Sequence, residues 1–285
     1  MNDAIQLVEC PRDAMQGWKK MISTHDKVKY INSLLKVGFD TIDFGSFVSA
    51  KAIPQMADTA EVVQKLDSGN SHSKLLAIIA NLRGARETME FEQIACLGYP
   101  FSVSPTFQMR NTNNTMESSF SLVRDIQSLC LKNNKQLIVY ISMAFGNPYG
   151  DSHHEDIVEQ WADQLSTLGV NVLSIADTVG LASPVQVSSL FTKLKRNHPA
   201  VTIGVHLHST AVGWKQKIDA ALSAGCRRFD GALKGIGGCP MANDELVGNI
   251  NTEFMIPYFE EKKLLPGLDH EALADSLFIA NQIFQ

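Results

Sequence analysis

Two histidines separated by a single residue, His206 and His208, lie in an apolar, β-prone run. On an extended strand, residues two apart share a face, so both imidazoles converge on one point while Leu207 turns into the opposite packing layer. Near the other end of the chain Arg12 and Asp13 are adjacent, a guanidinium beside a carboxylate. If Asp13 joins the two imidazoles, the set is mixed nitrogen and oxygen with room for water, which suits Mg²⁺ or Mn²⁺, with Zn²⁺ or Co²⁺ competing for the imidazoles. Taken alone, each histidine can equally cap a strand, and Arg12-Asp13 can be an ion pair at a helix start. The elements that carry these residues decide between the two readings.

Short β-rich runs at residues 5–10, 41–44, 74–80, 101–104, 136–143, 171–176, 201–208 and 227–231 alternate with longer amphipathic stretches. That alternation predicts an α/β chain folded as a (β/α)8 TIM barrel. Lys36-Val37-Gly38, Thr167-Leu168-Gly169 and Ser223-Ala224-Gly225 each read as a helix end handing over to the next strand. Residues 75–82 also fit a helical pattern, so the third strand has an alternative reading. No linker or low-complexity tract interrupts the chain, which predicts one catalytic domain over residues 1–285 with a final helix from about residue 265.

Catalytic groups of such a barrel gather where strands end and βα loops begin, since the interior is filled by packed side chains. The predicted strand ends are followed by Glu9-Cys10-Pro11-Arg12-Asp13, Asp43, Asp177-Thr178, His206-Leu207-His208, and Asp230. After the last comes Lys234-Gly235-Ile236-Gly237-Gly238-Cys239-Pro240. Ionisable residues therefore collect on one rim. For Asp43 and Asp177 a structural hydrogen bond after a strand is the alternative. For Cys239 it is a small buried thiol, although Gly235, Gly237 and Gly238 predict a mobile loop poorly suited to burial.

Composition narrows the partners. With 285 residues and 45% of them hydrophobic, the chain can bury a large core, and a net charge of -5 gives no basic face for nucleic acid or an anionic membrane. No apolar run approaches the roughly 20 residues that span a bilayer. Five scattered cysteines, Cys10, Cys96, Cys130, Cys226 and Cys239, include no C-x-x-C pair and read as reduced thiols of a cytoplasmic protein.

Val8-Glu9-Cys10-Pro11-Arg12-Asp13-Ala14-Met15-Gln16, Ser46-Phe47-Val48-Ser49, Pro54-Gln55-Met56-Ala57-Asp58, Asp177-Thr178-Val179-Gly180, His206-Leu207-His208 and Gly237-Gly238-Cys239-Pro240 occur in that order. Together they resemble the 3-hydroxy-3-methylglutaryl-CoA lyases, a metal-dependent lyase and synthase group of TIM barrels with a pyruvate carboxyltransferase-like domain. The resemblance runs from residue 8 to about 253. It implies cleavage of 3-hydroxy-3-methylglutaryl-CoA to acetyl-CoA and acetoacetate, a chemistry of leucine degradation and ketone bodies. It also implies a homodimer or other homo-oligomer. Asp13, His206, His208 and Asn249 would hold the metal, the last because Gly248-Asn249-Ile250-Asn251-Thr252-Glu253 is similar to the family's Gly-Asn-x-x-Thr-Glu segment. Arg12 would face the thioester oxygen, His206 or Asp43 would accept a proton, and Asp177 and Cys239 complete the catalytic candidates. Gln16, Lys19 and Lys51 are the candidates for coenzyme A, with solvated surface lysines as the alternative for the last two.

Three departures from the family pattern stand out: Ala14 where Gly is usual, Asp43 where Glu is usual, and the spacing between Cys239 and Asn249. They bear on the acyl chain accepted, so a longer 3-hydroxyglutaryl-CoA homologue is an alternative substrate. Condensing synthases of the citramalate and isopropylmalate type share mainly the Arg-Asp and His-x-His elements. In metallohydrolase barrels the His-x-His pair usually follows the first strand. A non-catalytic metal-binding barrel is the remaining reading.

Overall fold

The alternation of apolar and amphipathic runs resolves into eight parallel strands closed in sequence order into a barrel in this computed structural model, which describes residues 4–238, 247–265 and 267–285. The strands are β1 (Gln6–Glu9), β2 (Thr41–Ser46), β3 (Lys74–Ile78), β4 (Ile94–Ser102), β5 (Gln136–Ser142), β6 (Val172–Asp177), β7 (Thr202–Leu207) and β8 (Arg228–Gly231). The barrel closes where Val8 of β1 pairs with Asp230 of β8. Residues 75–78 are strand, which removes the helical alternative.

The fourth strand departs from the expectation, since it begins at Ile94, seven residues before the predicted 101. Gly98 and Pro100 are what disguise it. The Gly98 carbonyl accepts from Ile79 N at 2.9 Å, so in a parallel strand Pro100, two residues on, faces the same side. There β3 has already ended at Ile78, and the missing proline N–H leaves no bond unmade. Gly98 is required by space, because a methyl group there would lie 2.5 Å from Ile78 Cδ1 and 3.1 Å from Tyr140 Cε2. Both features are legal in this strand and read from the sequence as punctuation.

Helices cover the outside. Pro184–Asn197 shows why one forms where it does: Ser183 and Gln186 make a reciprocal capping box, Pro184 presets the first turn, and Lys195 and Arg196 sit in the last. Its Val187, Leu190, Phe191 and Leu194 are buried at helical spacing against the barrel. The final helix is His270–Ile283, capped by Asp269 onto Ala272 N. It packs on Thr24–Val37, where the hydroxyls of Ser276 and Ser33 are 2.9 Å apart. Among the described residues no helix is long and apolar enough to cross a membrane.

Inside the barrel the two walls differ. Leu76, Ile78, Cys96, Ile138, Tyr140 and Val172 form an apolar cluster of their own on β3 to β6. Across from it Arg228, Asp230 and Asp43 are buried. That asymmetry places charge beneath one side of the mouth.

Candidate active site and metal centre

The helix Pro11–Gln16 starts directly after β1, with Pro11 at its first turn. Arg12 and Asp13 are thereby buried at the barrel mouth. Asp13, His206 and His208 each present a ligand atom within 4.8 Å of the others. The two imidazoles approach through their Nε2 atoms at 3.3 Å, and Asp13 Oδ2 accepts from Asn249 Nδ2 at 2.7 Å. Asn249, 2% exposed, leaves its Oδ1 without a hydrogen-bond partner among the described residues. A buried carbonyl oxygen without a donor, beside a carboxylate and two imidazoles, is the donor set a divalent ion would satisfy. Burial, then the neighbouring His206, push His208 down to about 4, so its ring is neutral at physiological pH, as a metal ligand must be. Burial opposes the charge of Asp13 too, but Arg12 and then His206 outweigh it and hold the carboxyl down at about 2.

Arg12 is held as a fork. Its Nε donates to Asp43 Oδ2 at 3.0 Å and Nη2 to the same oxygen at 2.5 Å, while Nη1 donates to Asp13 Oδ1 at 3.0 Å. One N–H on each of Nη1 and Nη2 remains for a further acceptor. Burial pushes the Asp43 carboxyl up against the pull of Arg12, to about 6. Asp43 lies beneath the guanidinium, 1% exposed.

These residues open onto a cavity of about 430 Å³ lined by Arg12, Asp13, Gln16, His206 and His208, with an apolar side of Val48, Ala52, Ile53, Ile78, Pro100 and Phe107. Gln16, a candidate for coenzyme A, lines it and donates from Nε2 to Asp13 Oδ1 at 2.8 Å. Lys19 and Lys51 do not line it, and both are exposed. Lys19 borders a separate depression with Trp18 and Gly237. Asp177 is likewise placed elsewhere: its Oδ2 accepts from Lys217 Nζ at 2.7 Å and its Oδ1 from Ala182 N at 3.1 Å. It follows Ala176, which does line the cavity, and strand alternation turns the next residue outward.

Gly235, Gly237 and Gly238 predict a loop poorly suited to burial, yet Gly238 is buried and its neighbours are half-buried. Gly238 N donates to Asp13 Oδ2 at 3.3 Å. Gly237 has φ +122°, and a methyl group on it would lie 2.3 Å from Asn249 Nδ2 and 2.7 Å from Asp13 Oδ2. Only glycine allows the backbone to pass that close. Cys239 itself lies outside the described residues.

Reasoning from sequence missed Tyr140 and Arg110 as cavity residues. Tyr140 carries the period-two signal of an inward position and was recoverable. Arg110, on the helix Pro105–Thr112 and stacked 4.5 Å over the Tyr149 ring, has no spacing signal. Lys217 was missed too, because its role rests on contacts with residues about 40 positions away.

The profile of the HMGL-like family matches residues 4–278. The chain is 31% identical over 264 residues to hydroxymethylglutaryl-CoA lyase YngG of Bacillus subtilis, covering 92% of this chain and 87% of that protein. It is 30% identical over 287 residues to the cytoplasmic 3-hydroxy-3-methylglutaryl-CoA lyase of Rattus norvegicus, covering 98% and 81%. Among solved structures, an HMG-CoA lyase of Acinetobacter baumannii in complex with coenzyme A and 3-methylmalate superimposes with a TM-score of 0.91 at 30% identity, covering all of this chain and 92% of that one.

Proposed function

This chain belongs to the HMGL-like family, and on that premise we propose that it cleaves 3-hydroxy-3-methylglutaryl-CoA to acetyl-CoA and acetoacetate in the cavity at the barrel mouth. The convergence of Asp13, His206, His208 and the unpartnered Asn249 Oδ1 beside Arg12 carries the reading. The relatives named above act on that thioester by name, and the solved relative holds coenzyme A together with a hydroxy diacid.

The reaction removes the proton of a tertiary hydroxyl, breaks the C2–C3 bond and leaves its electron pair on C2 as a thioester enolate, which then takes a proton. Asp13, His206, His208 and Asn249 would hold Mg²⁺ or Mn²⁺. Such an ion supplies Lewis acidity to the hydroxyl and a template for the carboxylate end of the substrate. Arg12 has two N–H groups left after gripping Asp43 and Asp13, and these face the thioester oxygen where charge develops. A donor aimed at such an oxygen is typically worth about 3 kcal/mol of barrier.

Asp43 takes the hydroxyl proton at Oδ1, the oxygen with only a 3.2 Å contact to Arg12 Nε, through an intervening water, since it lies beneath the guanidinium and does not line the cavity. Its carboxyl at about 6 is near the range where a general base works best at neutral pH. His206 is less free for that task, since its Nδ1 is engaged by Asp230 at 3.3 Å and its Nε2 belongs to the ligand set. Gln16 fixes Asp13. Cys239 is the residue we assign to protonate the enolate carbon. The cytoplasm is the compartment of this reading, in keeping with the rat relative and with Cys10, Cys96, Cys130 and Cys226 all free.

The test is an assay for acetoacetate from 3-hydroxy-3-methylglutaryl-CoA, with the protein first stripped by chelator and then given Mg²⁺ or Mn²⁺. Turnover should vanish on stripping and return with the ion, and His208→Ala should stay inactive. Full activity in chelator overturns the metal assignment. Absence of cleavage under every condition, with net condensation of acetyl-CoA and a 2-oxo acid, overturns the lyase reading. Longer 3-hydroxyglutaryl-CoA homologues in the same assay read how far the apolar side of the cavity extends the acyl range.

A further inference from the structure

Below the proposed metal set, the barrel interior holds a second polar group that the chemistry above leaves unused. Arg228 is 4% exposed and extends inside the barrel from β8. Gly204, across from it on β7, leaves the space, since a methyl group there would lie 3.1 Å from Arg228 Cγ and Cδ. From this position Arg228 Nη1 donates to Asp230 Oδ1 at 2.6 Å. Asp230, whose side chain is fully buried, offers its other oxygen, Oδ2, to His206 Nδ1 at 3.3 Å. The strand register sets this up by pairing His206 directly with Asp230.

The same carboxylate has a competing use. Cys10, His206 and Asp230 also bring ligand atoms within 4.8 Å of one another, so a cation drawn to that deeper set would take Asp230 from His206 Nδ1–H. A guanidinium 2.6 Å from Asp230 repels a cation there and occupies one carboxylate oxygen. We propose that Arg228 is a positioning residue for the metal centre: it commits Asp230 to His206 Nδ1–H, and so fixes the imidazole with Nε2 toward Asp13 and His208. Carboxylate partners of ligand histidines orient the ring and raise its basicity, and losing one typically costs about 10- to 100-fold in metal affinity. Here the orienting carboxylate is itself held by a buried arginine.

The inference rests on Asp13, His206 and His208 holding a divalent ion, so it is tested by calorimetric titration of Mn²⁺ into the metal-free full-length protein. The variants are Arg228→Met, Asp230→Asn and the double variant, each checked for folding by its melting curve without metal. Arg228→Met and Asp230→Asn should each weaken Mn²⁺ binding by about 10-fold or more. Because Arg228 acts through Asp230, the double variant should bind no more weakly than the weaker single variant. Arg228→Lys, which keeps a cation on Asp230, should recover most of the affinity.

Unchanged affinity in a folded Arg228→Met protein, or additive losses in the double variant, overturn the proposal. If Arg228→Met alone does not fold, the double variant decides, because removing both charges leaves no unpaired buried ion. A further 10-fold loss beyond Asp230→Asn sinks the proposal, and Arg228→Gln, used in place of Arg228→Met, must bind Mn²⁺ about 10-fold more weakly than the parent for it to stand. A parent protein that binds no Mn²⁺ overturns the metal reading itself, whereas parent binding that Arg228→Met leaves intact overturns this inference alone.

Discussion

Lys217 Nζ donates to Asp177 Oδ2 at 2.7 Å and to the carbonyl oxygen of His208 at 2.7 Å. One ammonium, 7% exposed, thus ties the end of β6 to the end of β7 just behind the second histidine of the His-x-His pair. The aspartate that begins the Asp177-Thr178-Val179-Gly180 motif is consumed by this contact. Its work is to hold the strand end that presents His208.

Removing one partner of a buried pair leaves the other as an uncompensated charge, at a cost of about 3–5 kcal/mol. Lys217→Met should therefore lower the melting temperature sharply. Lys217→Met with Asp177→Leu should recover much of the stability. Metal binding in the folded fraction should weaken in both, because the His208 carbonyl loses its donor. Equal stability of Lys217→Met and the parent, by chemical denaturation, would contradict the assignment.

Arg12→Gln and Arg12→Met should lower kcat by two or more powers of ten in the folded fraction, about 3 kcal/mol of barrier, beside the loss of stability that unpairing the buried Asp43 brings. The loss should fall on turnover, since the donor acts on charge that develops in the transition state. A variant that keeps kcat and only raises KM would make Arg12 a binding residue and transfer enolate stabilisation to another group.

Glu9 supplies a pH dependence of stability that is separate from catalysis. It is fully buried outside the barrel, where its oxygens accept from Leu233 N at 2.8 Å and the Thr252 hydroxyl at 2.5 Å. Burial pushes its carboxyl up to about 8 despite those bonds. Between its ordinary value near 4.5 and about 8, the folded chain keeps a proton that the unfolded chain has released. The stability Glu9 contributes is therefore fully present below the ordinary value and is lost as pH rises through about 8, at up to about 1.4 kcal/mol per pH unit. Melting temperature should fall from pH 5.5 to pH 8.5, and Glu9→Gln should flatten that fall. A Glu9→Gln profile with the parent's slope would place the titration elsewhere.

Cys10, Cys96, Cys130 and Cys226 are buried, and burial pushes each of these thiols up, Cys130 and Cys226 to about 12. None is a thiolate at neutral pH, so a limiting alkylator should label Cys239 first, and activity should fall in step with labelling. Peptide mapping after partial inactivation reads this directly. Label found mainly on Cys10 or Cys130, or a fully active Cys239→Ala, would take the proton-transfer role from Cys239.

What the amino-acid order determined by itself was the eightfold alternation, the shared face of His206 and His208, and the arrival of Arg12-Asp13 just after the first strand. Each is a local periodicity or a short spacing, which a chain expresses without knowledge of its distant parts. The start of β4 escaped because Gly98 and Pro100 are breakers in isolation and become legal only beside the end of β3. The tertiary structure alone decided which rim carboxylates face the cavity. Strands β2, β6 and β8 are buried along their whole length on both faces, as barrel strands are, so no polar and apolar alternation marks inside from outside. Asp13 and Asp177 look alike as aspartates that follow a strand. Closure of the barrel turned one toward His206 and Asn249, the latter 236 positions away in sequence, and gave the other to Lys217. The pairing of β7 with β8 likewise set Asp230 beside His206, whereas Arg228 and Asp230, two apart on β8, share a face by strand spacing and need only the space left by Gly204.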